Sequence, residues 1–352
     1  MTKRAGMDGT LDSLEYTLQR YSERDVPALA CQARDRDSLA EWHTRARSKL
    51  CELIGGFPPR DTPSPQVEMG HAIRRDGLTR QELWISTRPG LRAFGYWIIP
   101  DHPRRKPGGA VICLPGHGRG VDEIVGIDCS GRERVMGEGY QHDFALQCAK
   151  RGFWTLAIEP LGFGRRRDHA AREKGVEAWS CQPAAGAALL LGETMIGWRV
   201  WDVMRAIDWL VTREEVDPGR VALVGISGGG TVALYTAALD VRVAATVLSC
   251  SFCTFRDSIF SISHCIDNYV PGILKWFEMA DLAGMVAPRA LFVEGGSGDP
   301  LFPEAGVRTA VEQAREIYQR TDASAHFQYD FFRGDHEFAG NSALPFLDAC
   351  LS

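Results

Sequence analysis

At 352 residues the chain can bury a sizeable core, as one large domain or two ordinary ones. Apolar residues make up 45% and charged residues 24%, and the formal net charge of -5 gives a general nucleic-acid role no electrostatic support. No apolar run reaches the roughly 18 residues that a membrane-spanning helix needs, and Met1 to Gly9 lacks the apolar centre of a signal peptide. The cytoplasm is the expected compartment, with no membrane partner. Ten cysteines at irregular spacing fit reduced thiols better than a disulfide framework. Cys250-Ser-Phe-Cys253 is formally a C-x-x-C, yet no second such pair or closely spaced histidines complete a zinc set, and neither metal nor cofactor is expected.

Residues 1 to about 65 read as a polar helical extension, with Leu11, Leu14, Tyr16, Leu18 and Tyr21 in an imperfect amphipathic pattern. A second helix, about Ser38 to Ile54, ends at Gly55-Gly56, and prolines 58, 59, 63 and 65 form a connector. The extension has too few apolar positions to stand alone and is expected to pack on a main domain of residues 66 to 352. There the period changes: Val67 to Arg75, Gln81 to Thr87 and Leu91 to Ile99 suggest an antiparallel meander. Ala110 to Leu114 is short and wholly apolar, as strands covered on both faces are. Beyond its loop the pattern predicts a helix at about Tyr140 to Arg151 and a buried strand, Phe153 to Ile158.

An irregular insertion follows at about 159 to 185, opening with Arg165-Arg166-Arg167, which reads as a solvated loop. One long helix is expected from there to about Thr212, with Trp198, Trp201 and Met204 at core spacing. The strand ending at Ile226, the helix after it and Val243 to Ser249 come next. A second insertion covers 252 to 286. Arg289 to Val293, a helix over Glu304 to Arg320, His326 to Phe332 and a short terminal helix close the chain. Strands alternating with helices in this way specify an α/β class: a doubly wound, mostly parallel sheet with lid-like insertions.

The stretch Gly225-Ile-Ser227-Gly228-Gly229 joins an apolar strand directly to a helix of small residues. That is the context of a nucleophile elbow. Side chains at Gly225 and Gly229 would collide with the flanking strand and helix, and Ser227 is expected in a strained conformation at the helix N-terminus. An activated serine needs a base and a carboxylate to orient that base. Ser227, Asp299 and His336 fall in three loops at the carboxyl ends of predicted strands, in the order serine, acid, histidine. His117, His142 and His264 compete for the base, and Glu294 for the acid. His336 follows the last strand, and Asp299 sits on the looser loop. The oxyanion donors are expected to be the amides of Gly228 and His117, the latter in the glycine-dense loop Pro115 to Gly120.

From about Val67 the chain resembles the α/β-hydrolase superfamily, in particular its dienelactone-hydrolase-like and acetyl-xylan-esterase-like branch. The matching pieces are Leu114-Pro-Gly-His-Gly118, Gly225-Ile-Ser-Gly-Gly229, Gly298-Asp-Pro-Leu-Phe-Pro303 and Gly334-Asp-His336, with Gly192 to Trp198 and His264 to Gly272 beside them. Dienelactone hydrolases proper use a cysteine nucleophile; a serine at 227 implies esterase chemistry on a small-molecule ester. Both insertions fall at the sheet end where the triad would assemble. His264 and Tyr269 are expected to line the pocket or to pack within the second insertion, and Arg165 to Arg167 could attract an anionic ester. A peptidase or aminoacyl-ester hydrolase of prolyl-oligopeptidase type, and a noncatalytic binding protein on this fold, are the alternatives. A homo-oligomer is compatible with the sequence.

Overall fold

A computed structural model describes residues 11–59, 63–134, 137–176, 178 and 180–352. The Met1 to Gly9 stretch, three residues of the connector (60–62) and positions 177 and 179 of the first insertion lie outside the described residues. In chain order the helices are α1 (Ser13–Ser22), α2 (Arg36–Leu53), α3 (Phe144–Lys150), α4 (His169–Glu173), α5 (Cys181–Leu190), α6 (Met195–Leu210), α7 (Gly228–Leu239), α8 (Met279–Val286), α9 (Glu304–Arg320) and α10 (Ala343–Leu351). The strands are β1 (Val67–Arg75), β2 (Leu78–Arg88), β3 (Leu91–Pro100), β4 (Gly108–Leu114), β5 (Trp154–Ile158), β6 (Val216–Ile226), β7 (Val243–Ser249), β8 (Ala290–Gly296) and β9 (Phe327–Phe332). They form one sheet in the order β1-β2-β3-β5-β4-β6-β7-β8-β9. The β1-β2-β3 meander is antiparallel and joins β5 antiparallel; from β5 to β9 every pairing is parallel.

The wholly apolar strands are covered on both faces because alternate side chains feed different cores. Ile112 and Leu114 of β4 and Leu223 of β6 pack with α2, α6, α7, α8 and α9. Val111, Cys113, Ala222 and Val224 face the other way, toward α3 and α10. Register brings the strand ends level: Leu114 pairs with Gly225, Ile226 with Ser249 and Ser249 with Glu294. The loops leaving those ends therefore open on one rim of the sheet.

Two helices differ from the sequence reading. The helix expected from Tyr140 begins at Phe144, because His142 and Asp143 both take left-handed backbone at φ 49°. The long helix expected up to Thr212 is two: Gly192 turns the chain at φ 73°, and the Thr194 side chain then caps α6 by accepting from the Gly197 amide. The arginine run at 165–167 is not a solvated loop either. Arg165 meets Asp122 at 2.9 Å, and Arg166 forms a buried pair with Asp202 at 2.7 Å.

The extension is joined to this core. Leu39, Trp42, Ala46 and Leu50 lie along one face of α2 and are buried in the same cluster as α7 and α8. His43 hydrogen-bonds the Gly284 carbonyl, and Arg47 donates to the Ala238 and Met285 carbonyls near the ends of α7 and α8. Leu50 is fully buried, so Leu50→Ala is expected to cost about 2–5 kcal/mol of unfolding free energy in a single urea transition. A separate early transition for the extension would contradict this packing.

Candidate active site

Ser227 is held by backbone geometry before any side chain contributes. Its φ of 54° and ψ of -127° are strained for a residue with a Cβ. Its amide donates to Ser249 O at 3.0 Å, and α7 starts at the next residue. Glycine is required on both sides. A Cβ at Gly225 would overlap the Gly229 carbonyl, and one at Gly229 would overlap the Leu114 and Pro115 carbonyls.

Asp299 and His336 come together from the loops after β8 and β9. Asp299 Oδ1 accepts from the amides of Leu301 (2.8 Å) and Phe302 (3.0 Å), while Oδ2 lies 2.8 Å from His336 Nδ1. With the carboxylate oxygen accepting, the proton of this hydrogen bond lies on Nδ1, and Nε2 is the ring nitrogen turned away from Asp299. The two loops are zipped to each other, Gly298 N donating to Gly334 O at 2.8 Å. Tyr140 stacks on His336 with centroids 5.5 Å apart, and Phe302 stacks on the same ring at 5.9 Å. The Tyr140 hydroxyl donates to His117 O and borders Gly116, whose Cβ position lies 2.9 Å from Ser227 Cβ. Tyr140 thus spans from the imidazole to the serine turn.

Glu294, the competing acid, has another task. Its carboxylate accepts from the amides of Ala339 and Gly340, both at 3.1 Å, and ties down the chain just beyond His336. Burial pushes its pKa up to about 7, against the lowering by Ser249 and those two amides.

The glycine-dense loop after β4 carries His117 against the elbow. Its Cε1 and Nδ1 each lie 2.9 Å from the Cβ position of Gly228. His117 Nε2 is 3.0 Å from Asp267 Oδ2, the same oxygen that Arg199 Nη1 reaches at 2.6 Å. Arg199 is almost wholly buried, and its guanidinium also meets Leu161 O and, at 3.3 Å, Cys181 Sγ. Burial disfavours a charged His117, but the Asp267 carboxylate outweighs it, with Cys181 on the same side, and the pKa is raised to about 9. Burial would raise Asp267, yet Arg199 and His117 hold it well below the usual carboxylate range.

His264 and Tyr269 lie in the second insertion. His264 Nε2 is 3.0 Å from Ser258 Oγ, and its ring meets Phe302 edge-on at 5.3 Å, one ring removed from His336. It lines a cavity of ≈ 870 Å³ with Cys181 and Ile266. The Tyr269 hydroxyl donates to Ile259 O and borders a different cavity of ≈ 830 Å³, next to Tyr21 and Arg24. A smaller cavity of ≈ 270 Å³ is bordered by His117, Gly118, Tyr140, Phe163 and Cys181, and not by Ser227 or His336.

Two groups place metal-capable donors within 4.8 Å of one another among the described residues: His117, Cys181, Cys265 and Asp267, and Cys250, Asp299 and His336. In the first, the Arg199 guanidinium already meets Asp267 and Cys181 and occupies the place of a cation. In the second, His336 and Asp299 already satisfy each other, and the Cys250 thiol faces the Glu337 carbonyl at 3.4 Å.

Asp267, Arg199 and Tyr140 were not singled out by the sequence reading. Arg199 offered a signal: it sits among Ile196, Val200 and Val203 on an otherwise apolar face, and a cation there requires a buried anion.

Sheet order, elbow and the loops at the strand ends define an α/β-hydrolase. The chain belongs to the Abhydrolase family, which it matches over residues 22–343. It is 28% identical over 277 residues to YtaP of Bacillus subtilis (strain 168), a protein provisionally named a hydrolase, covering 77% of this chain and 86% of that one. It is similar in structure to a Bacteroides fragilis protein provisionally named an acetyl xylan esterase, with a TM-score of 0.79 and 17% identity over 99% of this chain and 97% of that chain. A glucuronoyl esterase from Solibacter usitatus gives a TM-score of 0.65 at 15% identity, covering 93% and 97%. At these identities the structural likeness is one of fold. No helix among the described residues is long and apolar enough to cross a membrane.

The His117 pair makes a pH prediction. Its pKa is about 9 in the folded chain, against roughly 6.5 unfolded. Its contribution is therefore complete below about pH 6.5 and is lost as pH rises through 9. Between pH 7 and 10 the wild type is expected to lose roughly 2–3 kcal/mol more unfolding free energy than His117→Gln. Urea titrations at each pH measure this, and equal losses would exclude a charged His117.

Proposed function

We propose that the protein is a serine esterase that cleaves a small-molecule carboxylic ester through an acyl-enzyme. The observation that carries this reading is the Asp299–His336 hydrogen bond of 2.8 Å on the rim where Ser227 sits at positive φ. In this mechanism Ser227 Oγ attacks the ester carbonyl carbon and its proton passes to His336 Nε2. Asp299 holds the ring's orientation and stabilises the imidazolium. The tetrahedral intermediate expels the alcohol, which takes the proton from His336. A water molecule then loses a proton to the same nitrogen and attacks the acyl-enzyme, and the expelled serine regains it. The amides of Gly228 and His117 are the proposed oxyanion donors, in the favourable field of the α7 N-terminus.

Relatives with carbohydrate-esterase names support ester over peptide cleavage. The acetyl-esterase name of the Bacteroides fragilis neighbour supports a short acyl group such as acetyl. In this reading His264 lines the alcohol side through the cavity it shares with Cys181, and Tyr269 packs within the insertion.

A fluorophosphonate probe is expected to label Ser227, and Ser227→Ala to abolish hydrolysis of p-nitrophenyl acetate; full activity in that variant would end the proposal. Asp299→Asn is expected to lower kcat by about 10²–10⁴, whereas Glu294→Gln, which keeps an oxygen for the Gly340 amide, costs at most about tenfold. The reverse ranking, from steady-state kinetics, would move the orienting role to Glu294. Across p-nitrophenyl acetate, butyrate and octanoate, kcat/KM is expected to fall by about tenfold or more as the acyl chain lengthens. A preference for octanoate would contradict the short-acyl assignment.

A further inference from the structure

We infer that Tyr140 and Gln141 are positioning residues that clamp the loop after β4 to the loop of His336, so that the proposed oxyanion amide and the base keep one spacing through the reaction. This rests on the esterase reading and adds two residues to it. The peptide group carrying the His117 N–H lies between Gly116 and His117, and the peptide groups on either side of it are held by this pair. On one side the Gly116 amide donates to Gln141 Oε1 at 2.8 Å. On the other the Tyr140 hydroxyl donates to His117 O at 2.7 Å. With its N–H committed to Gln141, Gly116 is not the oxyanion donor, and the task stays with His117. A Cβ at Gly116 would overlap the Tyr140 hydroxyl and come within 2.9 Å of Ser227 Cβ, so loop, tyrosine and serine meet at one point.

The same segment is fixed to the histidine loop. Phe338, two residues past His336, donates its amide to Tyr140 O at 2.8 Å, and the Tyr140 ring stacks on the imidazole. Phe144, at the start of α3, stacks on Phe338 with centroids 4.9 Å apart. Between these contacts His142 and Asp143 keep left-handed backbone, which residues with a Cβ hold only where their surroundings enforce it. Asp143 accepts from the Gly137 amide at 2.8 Å and from Arg134, and Gln147 Nε2 donates to His142 O at 2.6 Å. Gln141 is fully buried, so losing the Gly116 bond would strand a polar group away from water. The sheet gives the clamp its purpose. The two loops leave β4 and β9, and β6, β7 and β8 lie between those strands. Pairing of adjacent strands therefore does not set the distance between the loops directly. A segment that touches both does, and the placing of reacting groups is a large part of a rate enhancement.

The test uses the full-length chain and p-nitrophenyl acetate, with kcat counted per Ser227 labelled by a fluorophosphonate. Tyr140→Phe keeps a ring against His336 and removes the hydroxyl, whereas Gln141→Leu removes the acceptor for Gly116. Each is expected to lower kcat per labelled site by about tenfold or more, with KM changed less than about threefold. A trifluoromethyl ketone reads the same loop without turnover. Ser227 Oγ adds to its carbonyl carbon, the serine proton passes to His336, and the carbonyl oxygen becomes the anion that the loop must meet. Its inhibition constant should rise in both variants in step with the fall in kcat. A merely structural pair would lower the melting temperature and the labelled fraction, leaving kcat per site and the inhibition constant unchanged. A folded Tyr140→Phe within about twofold of wild type in both quantities overturns the inference. Should neither variant fold, hydrogen exchange in the wild type decides: a Gly116 amide exchanging as fast as in an unstructured chain overturns the clamp, and strong protection upholds it. The esterase reading fails separately, if wild-type Ser227 neither labels nor supports turnover, and the clamp then has no reaction to serve.

Discussion

The site depends on the close approach of three backbones. Gly229 lies so near the Leu114 and Pro115 carbonyls that any side chain would force the elbow away from β4, and Gly225 is pressed equally close to the Gly229 carbonyl. With that spacing fixed, the Leu114–Gly225 register sends the loop after β4 over the start of α7. His117 consequently lies against Gly228. The strained Ser227 is a product of the same contact, since a relaxed φ would not carry the chain from β6 into α7 within a single residue.

Around this turn the protein separates the work of two buried carboxylates. Asp299 is prepared by the Leu301 and Phe302 amides and faces His336, whereas Glu294 is committed to the Ala339 and Gly340 amides and fixes where the chain goes after the histidine. Tyr140, His336, Phe302 and His264 form a run of ring contacts from the serine turn to the second insertion. That insertion also supplies Asp267. It is consequently joined to the rim that carries Ser227 and His336 by both apolar and charged contacts.

Much of this was legible in the sequence where the signal is local. Apolar runs marked the covered strands, Gly225 and Gly229 marked a turn that admits no side chains, and strand-end loops marked Asp299 and His336, which meet at 2.8 Å. Residues whose role depends on distant partners were not legible. Arg165 and Arg166 read as solvated because their counter-charges, Asp122 and Asp202, are far off in the chain. Arg199 and Asp267 are 68 positions apart and meet only because α6 passes beneath the second insertion. The break at Gly192 was missed because small and apolar residues on both sides kept a helical pattern through it.

The contact from Arg47 has a consequence for where the folded unit starts. α7 directs its amino end at Ser227, while its opposite end presents carbonyls that make a negative pole. A guanidinium from the leading segment covers one of those carbonyls and one from α8. The helix that starts after Ser227 is thereby met at its far end by a residue that precedes the first strand of the sheet. A boundary drawn at residue 66 would separate α7 from the guanidinium that meets its carboxyl end.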